Sequence, residues 1–211
     1  MLQKKGVFPG KPICVFCDSH ILCSCTLNCA LVFAYPKRLA RPTPCPAYAL
    51  GDLIDHIGGL AIAFAAAASK ERSERTEQPR PGDAARLSPD WRERIPRDLD
   101  ALALAWDDSG AWQGMTRIAG MDTPAETVGL VLADELAVHG WDVARASRQP
   151  YACEPDVLEA ALKFLEMFAS PDAPSGPDVP FGPATVLLPE APLLDRVVAL
   201  AGRDPGWHLP S

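Results

Sequence analysis

Beyond residue 41 the chain is nearly without cysteine, with Cys45 and Cys153 alone. Two cysteines with no framework spacing exclude a disulfide-stapled domain, so a reducing cytoplasm is the expected compartment for residues 42–211. The same stretch is short of positive charge, with 14 Lys/Arg against 26 Asp/Glu, a net −12 within a chain total of −7. An acidic body argues against a nucleic-acid partner, and none is expected. No internal repeat is visible, and no segment sustains the apolar/polar alternation of a half-buried strand. The body therefore reads as all-α, a helical bundle.

What is present supports one domain. The chain has 211 residues, 48% of them hydrophobic, enough to bury a sizeable core. Pro42, Pro44 and Pro46 punctuate a rigid loop, and the proline-free apolar run from Leu50 to Ser69 predicts a helix. Lys70 to Pro89 is dense in charge, proline and glycine and reads as a solvated loop. Ile95 to Trp106 places Leu99, Leu102, Ala103 and Trp106 on one face, with Pro96 in the first turn. Gly110 to Asp122 reads as a connector. Thr123-Pro124-Ala125-Glu126 then combines a capping hydroxyl, a proline at the first helical position and an acid for a capping box, which predicts a helix to about Ala146. Two further helices are expected, Pro155 to Ala169 with Val157, Ala161, Phe164 and Phe168 inward, and Leu193 to Ala201 closed by Gly202, with a proline-rich connector over Ser170 to Pro192.

The chemistry concentrates on the best-marked helix. Val128, Val131, Leu132, Glu135, His139 and Asp142 form one stripe at i, i+3, i+4, i+7 spacing, so a carboxylate and an imidazole point the same way from adjacent turns. Glu and His at that spacing are metal-ligand types, and His56, on the Leu50 helix, is the natural third. The spacing alone is coincidence-prone, and polar residues satisfied by one another or by solvent are the alternative reading. Three protein ligands would leave a coordination position for water or substrate, the pattern of a catalytic site. Imidazole and carboxylate suit zinc, and also nickel, iron or manganese. Asp52 and Asp142, each about one turn from a histidine, are candidate acceptors that would orient the imidazoles, or else face solvent. Trp141 and Arg145 read as a core residue and a surface residue, with contact to an anionic substrate as the alternative.

Three segments together resemble a known family: Pro42-Thr43-Pro44-Cys45-Pro46, Asp52-Leu53-Ile54-Asp55-His56-Ile57, and Glu135-Leu136-Ala137-Val138-His139-Gly140-Trp141-Asp142-Val143-Ala144-Arg145-Ala146. They are similar to the actinobacterial metal-binding proteins related to mycothiol-dependent maleylpyruvate isomerase, within the DinB/YfiT-like superfamily. Phe181-Gly182-Pro183, Leu194-Asp195-Arg196 and Gly202-Arg203-Asp204-Pro205 resemble the C-terminal end of that group. The resemblance covers about residues 41–207. It implies a four-helix bundle with a C-terminal helical extension and a mononuclear metal, commonly zinc, held by His56, Glu135 and His139. It implies as partners a low-molecular-weight thiol such as mycothiol and a small electrophile, with isomerisation or S-transfer as the reaction. A non-catalytic metal- or ligand-binding bundle is the alternative.

Residues 1–40 do not resemble the amphipathic first helix with which the family opens. A Cys-rich apolar run from Ile13 to Tyr35, broken by Asp18 and His20, stands in its place. A frame or start-site artefact is the expectation. The alternatives are a replacement apolar helix, a zinc knot built on Cys14-x-x-Cys17 with Cys23, Cys25 and Cys29, and a signal or anchor. The last is disfavoured because the run lacks about 18 uninterrupted apolar residues, and no membrane partner is expected. An exposed groove left by an atypical first helix would favour a homodimer.

Overall fold

The computed structural model describes residues 38–78, 80–169 and 187–210. The Cys-rich run, the alternative zinc knot within it, Phe181-Gly182-Pro183 and the side chain of Phe168 lie outside the described residues. The elements run α1 (Leu50–Ala68), α2 (Glu74–Glu77), α3 (Trp91–Asp107), β1 (Met115–Ile118), β2 (Met121–Pro124), α4 (Ala125–Ser147), α5 (Pro155–Ala169) and α6 (Leu193–Leu200). Short 3₁₀ turns lie at Ala84–Arg86 and Ser109–Trp112.

α4 is the centre of the molecule because its sequence offers two apolar faces. Val128, Leu132, Val143 and Ala146 join Leu53, Ile57, Phe64, Ile95, Leu99 and Trp106 in a core shared with α1 and α3. Leu130, Ala133, Ala137 and Val138 join Val157, Ala161, Phe164, Leu165 and Val197 in a second core with α5 and α6. A helix buried on both sides cannot tilt freely, so residues between the two faces are held in fixed directions. α1 is long and apolar enough by composition to cross a membrane. Much of it packs against the protein instead, with Leu50, Leu53, Ile54 and Ile57 buried, while Ile62 is exposed.

Four local expectations need correction. The connector after Gly110 contains an antiparallel hairpin, with Thr116 opposite Thr123 and a two-residue turn at Ala119 (φ 51°) and Gly120 (φ 73°). Positive φ at both turn positions matches the right-handed twist of the strands. Because Thr123 is paired in β2, it makes no capping bond to α4, and Pro124 takes the cap position instead. α3 begins at Trp91, which places Pro96 inside the helix rather than in its first turn. The stretch read as a solvated loop holds α2, capped by the Ser73 hydroxyl, and the turn Ala84–Arg86.

The hairpin fixes how α1 meets α4. The Thr116 hydroxyl donates to the Ala67 carbonyl at 2.5 Å and the Gly120 amide to Thr76 at 2.9 Å. Nearby, Trp112 lies against Gly129 so closely that an added Cβ would come within 2.2 Å of its ring. Gly129→Ala would gain about 1 kcal/mol of helix propensity. Displacing the ring costs typically ~1–3 kcal/mol, so a net loss of stability is expected in thermal melts. An unchanged or raised Tm would show that Trp112 gives way freely.

Candidate metal centre

α1 and α4 face each other where neither is wholly apolar. His56 projects from α1, one residue before the buried Ile57, and Glu135 and His139 project from consecutive turns of α4. One ligand atom from each of the three lies within 4.8 Å of the others. The Glu135 Oε2 atom is 3.1 Å from His139 Nε2 and 3.7 Å from His56 Nε2. Ligand atoms on one tetrahedral zinc, at about 2.0–2.1 Å from the ion, stand roughly 3.3 Å apart, and the two spacings from Glu135 are close to this. The side chains of Glu135 and His56 keep 26% and 16% exposure, so the cluster has an opening.

Each histidine is held from behind. The rings of His56 and His139 meet edge to face at 5.1 Å, and Tyr48 packs on His56 at 5.0 Å. Tyr48 is itself placed by the proline loop. The Thr43 hydroxyl lies 3.0 Å from the Cys45 carbonyl and 2.8 Å from that of Tyr48, and the Gly82 amide donates to the Tyr48 hydroxyl at 3.4 Å. Gly82 is required there, since a Cβ would sit 2.0 Å from the Asp52 carbonyl and 3.0 Å from His56 Cβ.

His139 Nδ1 lies 3.1 Å from Asp142 Oδ2, and Asp142 has no exposed surface. A buried carboxylate is an acceptor, so His139 donates from Nδ1 and directs Nε2 toward Glu135 and His56. The orienting role anticipated for Asp142 is thus occupied. That for Asp52 is not: its carboxylate accepts from the Ala49 amide at 3.2 Å and the Ala84 amide at 2.8 Å, where it caps α1 and anchors the Ala84–Arg86 turn. Trp141 is buried, and Arg145 stacks over its ring at 5.2 Å and donates to the Pro205 carbonyl at 2.8 Å, so both serve packing as anticipated.

The electrostatics of the cluster favour a cation. Burial pushes the Glu135 carboxyl up, but its polar contacts with His139 and His56 outweigh it and hold it well below the usual range. Burial pushes His139 down, while its bonds to Asp142 and Glu135 prevail and raise it to about 10. Burial, followed by the charge of Glu135, drives Asp134 well above the carboxylate range, and its buried Oδ1 has no hydrogen-bond partner among the described residues.

Sequence reasoning missed Tyr48 and Arg203. Arg203 is buried and donates to Asp142 Oδ2 at 3.0 Å across 61 residues of sequence. Its signal was the Gly202-Arg203-Asp204-Pro205 segment, whose place in the site only the fold reveals.

Residues 30–144 match the family described as the mycothiol maleylpyruvate isomerase N-terminal domain, a span that contains His56, Glu135 and His139. The chain belongs to this family. Its fold is similar to the crystal structure of the mycothiol-dependent maleylpyruvate isomerase, with a TM-score of 0.54, 17% identity, and coverage of 70% of this chain and 68% of that one. A variant of that enzyme with one histidine replaced by alanine matches with a TM-score of 0.54, 16% identity and the same coverage. No curated protein matches. At these identities the structural likeness establishes the maleylpyruvate isomerase-like fold, and activity has to be argued from the site.

Proposed function

We propose that this protein holds a divalent metal, zinc in the first instance, on His56, Glu135 and His139, and uses a low-molecular-weight thiol such as mycothiol to isomerise a small electrophile, or transfers the thiol sulfur onto it, in the cytoplasm. The observation that carries the reading is the convergence of three ligand atoms within 4.8 Å at an opening between α1 and α4. Two imidazoles and one carboxylate form a donor set that suits zinc and accepts nickel, iron or manganese. When bound, the metal would acidify a coordinated thiol, supplying a thiolate at neutral pH.

The chain's own residues do the rest. Asp142 fixes the His139 tautomer, Tyr48 supports the His56 ring, and α4, packed on both faces, prevents the ligands from parting. The exposure at Glu135 and His56 gives thiol and electrophile a way in. For isomerisation, the thiolate adds to an electrophilic carbon, the carbon–carbon bond turns, and the same sulfur leaves. For S-transfer, the carbanion left by addition takes a proton from water, and the new C–S bond is kept.

The direct assay is turnover of maleylpyruvate by metal-loaded full chain with and without mycothiol. Rapid cis–trans isomerisation that requires both the thiol and the metal is the expected result. Stoichiometric metal with no thiol-dependent turnover of maleylpyruvate or of model electrophiles would assign the protein instead to the non-catalytic metal-binding bundles.

A further inference from the structure

Arg203 reaches the metal centre from the far end of the chain. α6 ends at Leu200, and Gly202 (φ 77°) reverses the backbone, with its amide donating to Ala199 and that of Arg203 to Val198 at 2.9 Å. A left-handed glycine just past a helix end is a Schellman-type stop, and here it turns Arg203 into the protein. The guanidinium donates from Nη2 to Asp142 Oδ2 at 3.0 Å, lies 3.5 Å from Oδ1 through Nε, and donates from Nη1 to the Ala201 carbonyl at 2.6 Å. Asp142 Oδ2 is the atom that also faces His139 Nδ1. Asp142 is wholly buried and Arg203 is 8% exposed, so each is the other's compensation for lost water.

We infer that Arg203 is a positioning residue of the metal centre, acting through Asp142 to hold His139 with Nε2 turned toward Glu135 and His56. The inference rests on the metal reading above. A guanidinium engages both oxygens of a carboxylate in one plane, which fixes the rotation of Asp142 and thereby the direction of the bond to His139. An ammonium supplies the charge without the fork. Docking of the C-terminal segment and assembly of the metal ligands are therefore coupled, although Arg203 approaches none of the ligand atoms itself.

The test measures zinc affinity by competition with a chromogenic chelator and the visible spectrum of the cobalt(II) form, on full-length chains. Arg203→Met is expected to weaken zinc by about 10–100-fold, as loss of an outer-sphere partner typically does, and to shift the cobalt bands. Arg203→Lys should recover part of the affinity. Arg145→Met, which removes a different tie between α4 and the tail, should leave affinity and spectrum as in the wild type, separating positioning from simple tail anchorage. If Arg203→Met fails to fold, Arg203→Met with Asp142→Asn removes the bare buried charge and should fold while binding zinc weakly. Wild-type affinity and spectrum in whichever of these folds would overturn the inference and leave the metal reading standing. A wild-type protein that takes up no metal would overturn both.

Discussion

Glu135→Ala is expected to lose stoichiometric metal while keeping its helical content, and His56→Ala to do the same. Glu135 supplies the oxygen on which both imidazoles converge, at 3.1 Å and 3.7 Å, so its removal leaves two neutral donors on different helices. Changes one shell farther out typically cost 10–100-fold in metal affinity, so loss of the carboxylate itself should exceed about 100-fold. The fold should survive because the two cores of α4 are formed by other residues, and Glu135 belongs to neither. His139, deprived of one of the two bonds that raise its pKa, shifts toward the neutral form and avoids a buried unpaired charge. Metal content of purified protein by atomic spectroscopy, read beside circular dichroism, gives the result. Unchanged stoichiometric metal in both variants would end the metal proposal.

The helices were legible because their signal is local and repeated. Val128, Leu132, Glu135, His139 and Asp142 advance by three or four residues along one face, and the structure keeps that stripe toward α1. The hairpin was not legible, since strands of four residues are too short to show an alternation and the Ala119-Gly120 turn is a weak marker. Its formation also explains the lost cap at Thr123, where cross-strand pairing with Thr116 outcompeted a locally sound helix start. At the site, the sequence yielded the residues one helix turn apart, Glu135, His139 and Asp142. It left Asp52 open between orienting a histidine and facing solvent, and the carboxylate, three residues into α1, instead accepts from two backbone amides. The role of Arg203 was not legible from its segment, as nothing in a chain's spacing indicates that a residue 61 positions on will pair with Asp142.

The second large effect is on pH, and its sign differs between the metal-free and metal-bound protein. In the metal-free form the His139 pKa is raised to about 10 from an ordinary 6.5, so its stabilising contribution is full below about pH 6.5 and disappears as pH rises through 10. Glu135 is depressed from an ordinary 4.5, so its contribution is full above that value and fades as pH falls below it. Among these two groups, metal-free stability is therefore greatest between about pH 4.5 and 6.5. Metal binding runs the other way. A metal ion must displace the proton from His139, so below pH 10 apparent affinity should fall about tenfold for each pH unit, or about a thousandfold from about pH 9 to 6. The metal-induced rise in Tm should accordingly widen with increasing pH while the metal-free Tm declines. Chelator competition across that range, with calorimetric titrations in two buffers of different ionisation enthalpy to count released protons, measures both. Affinity that stays flat from pH 6 to 9 with no proton release would show that His139 carries no proton for the metal to displace, and would overturn the raised pKa.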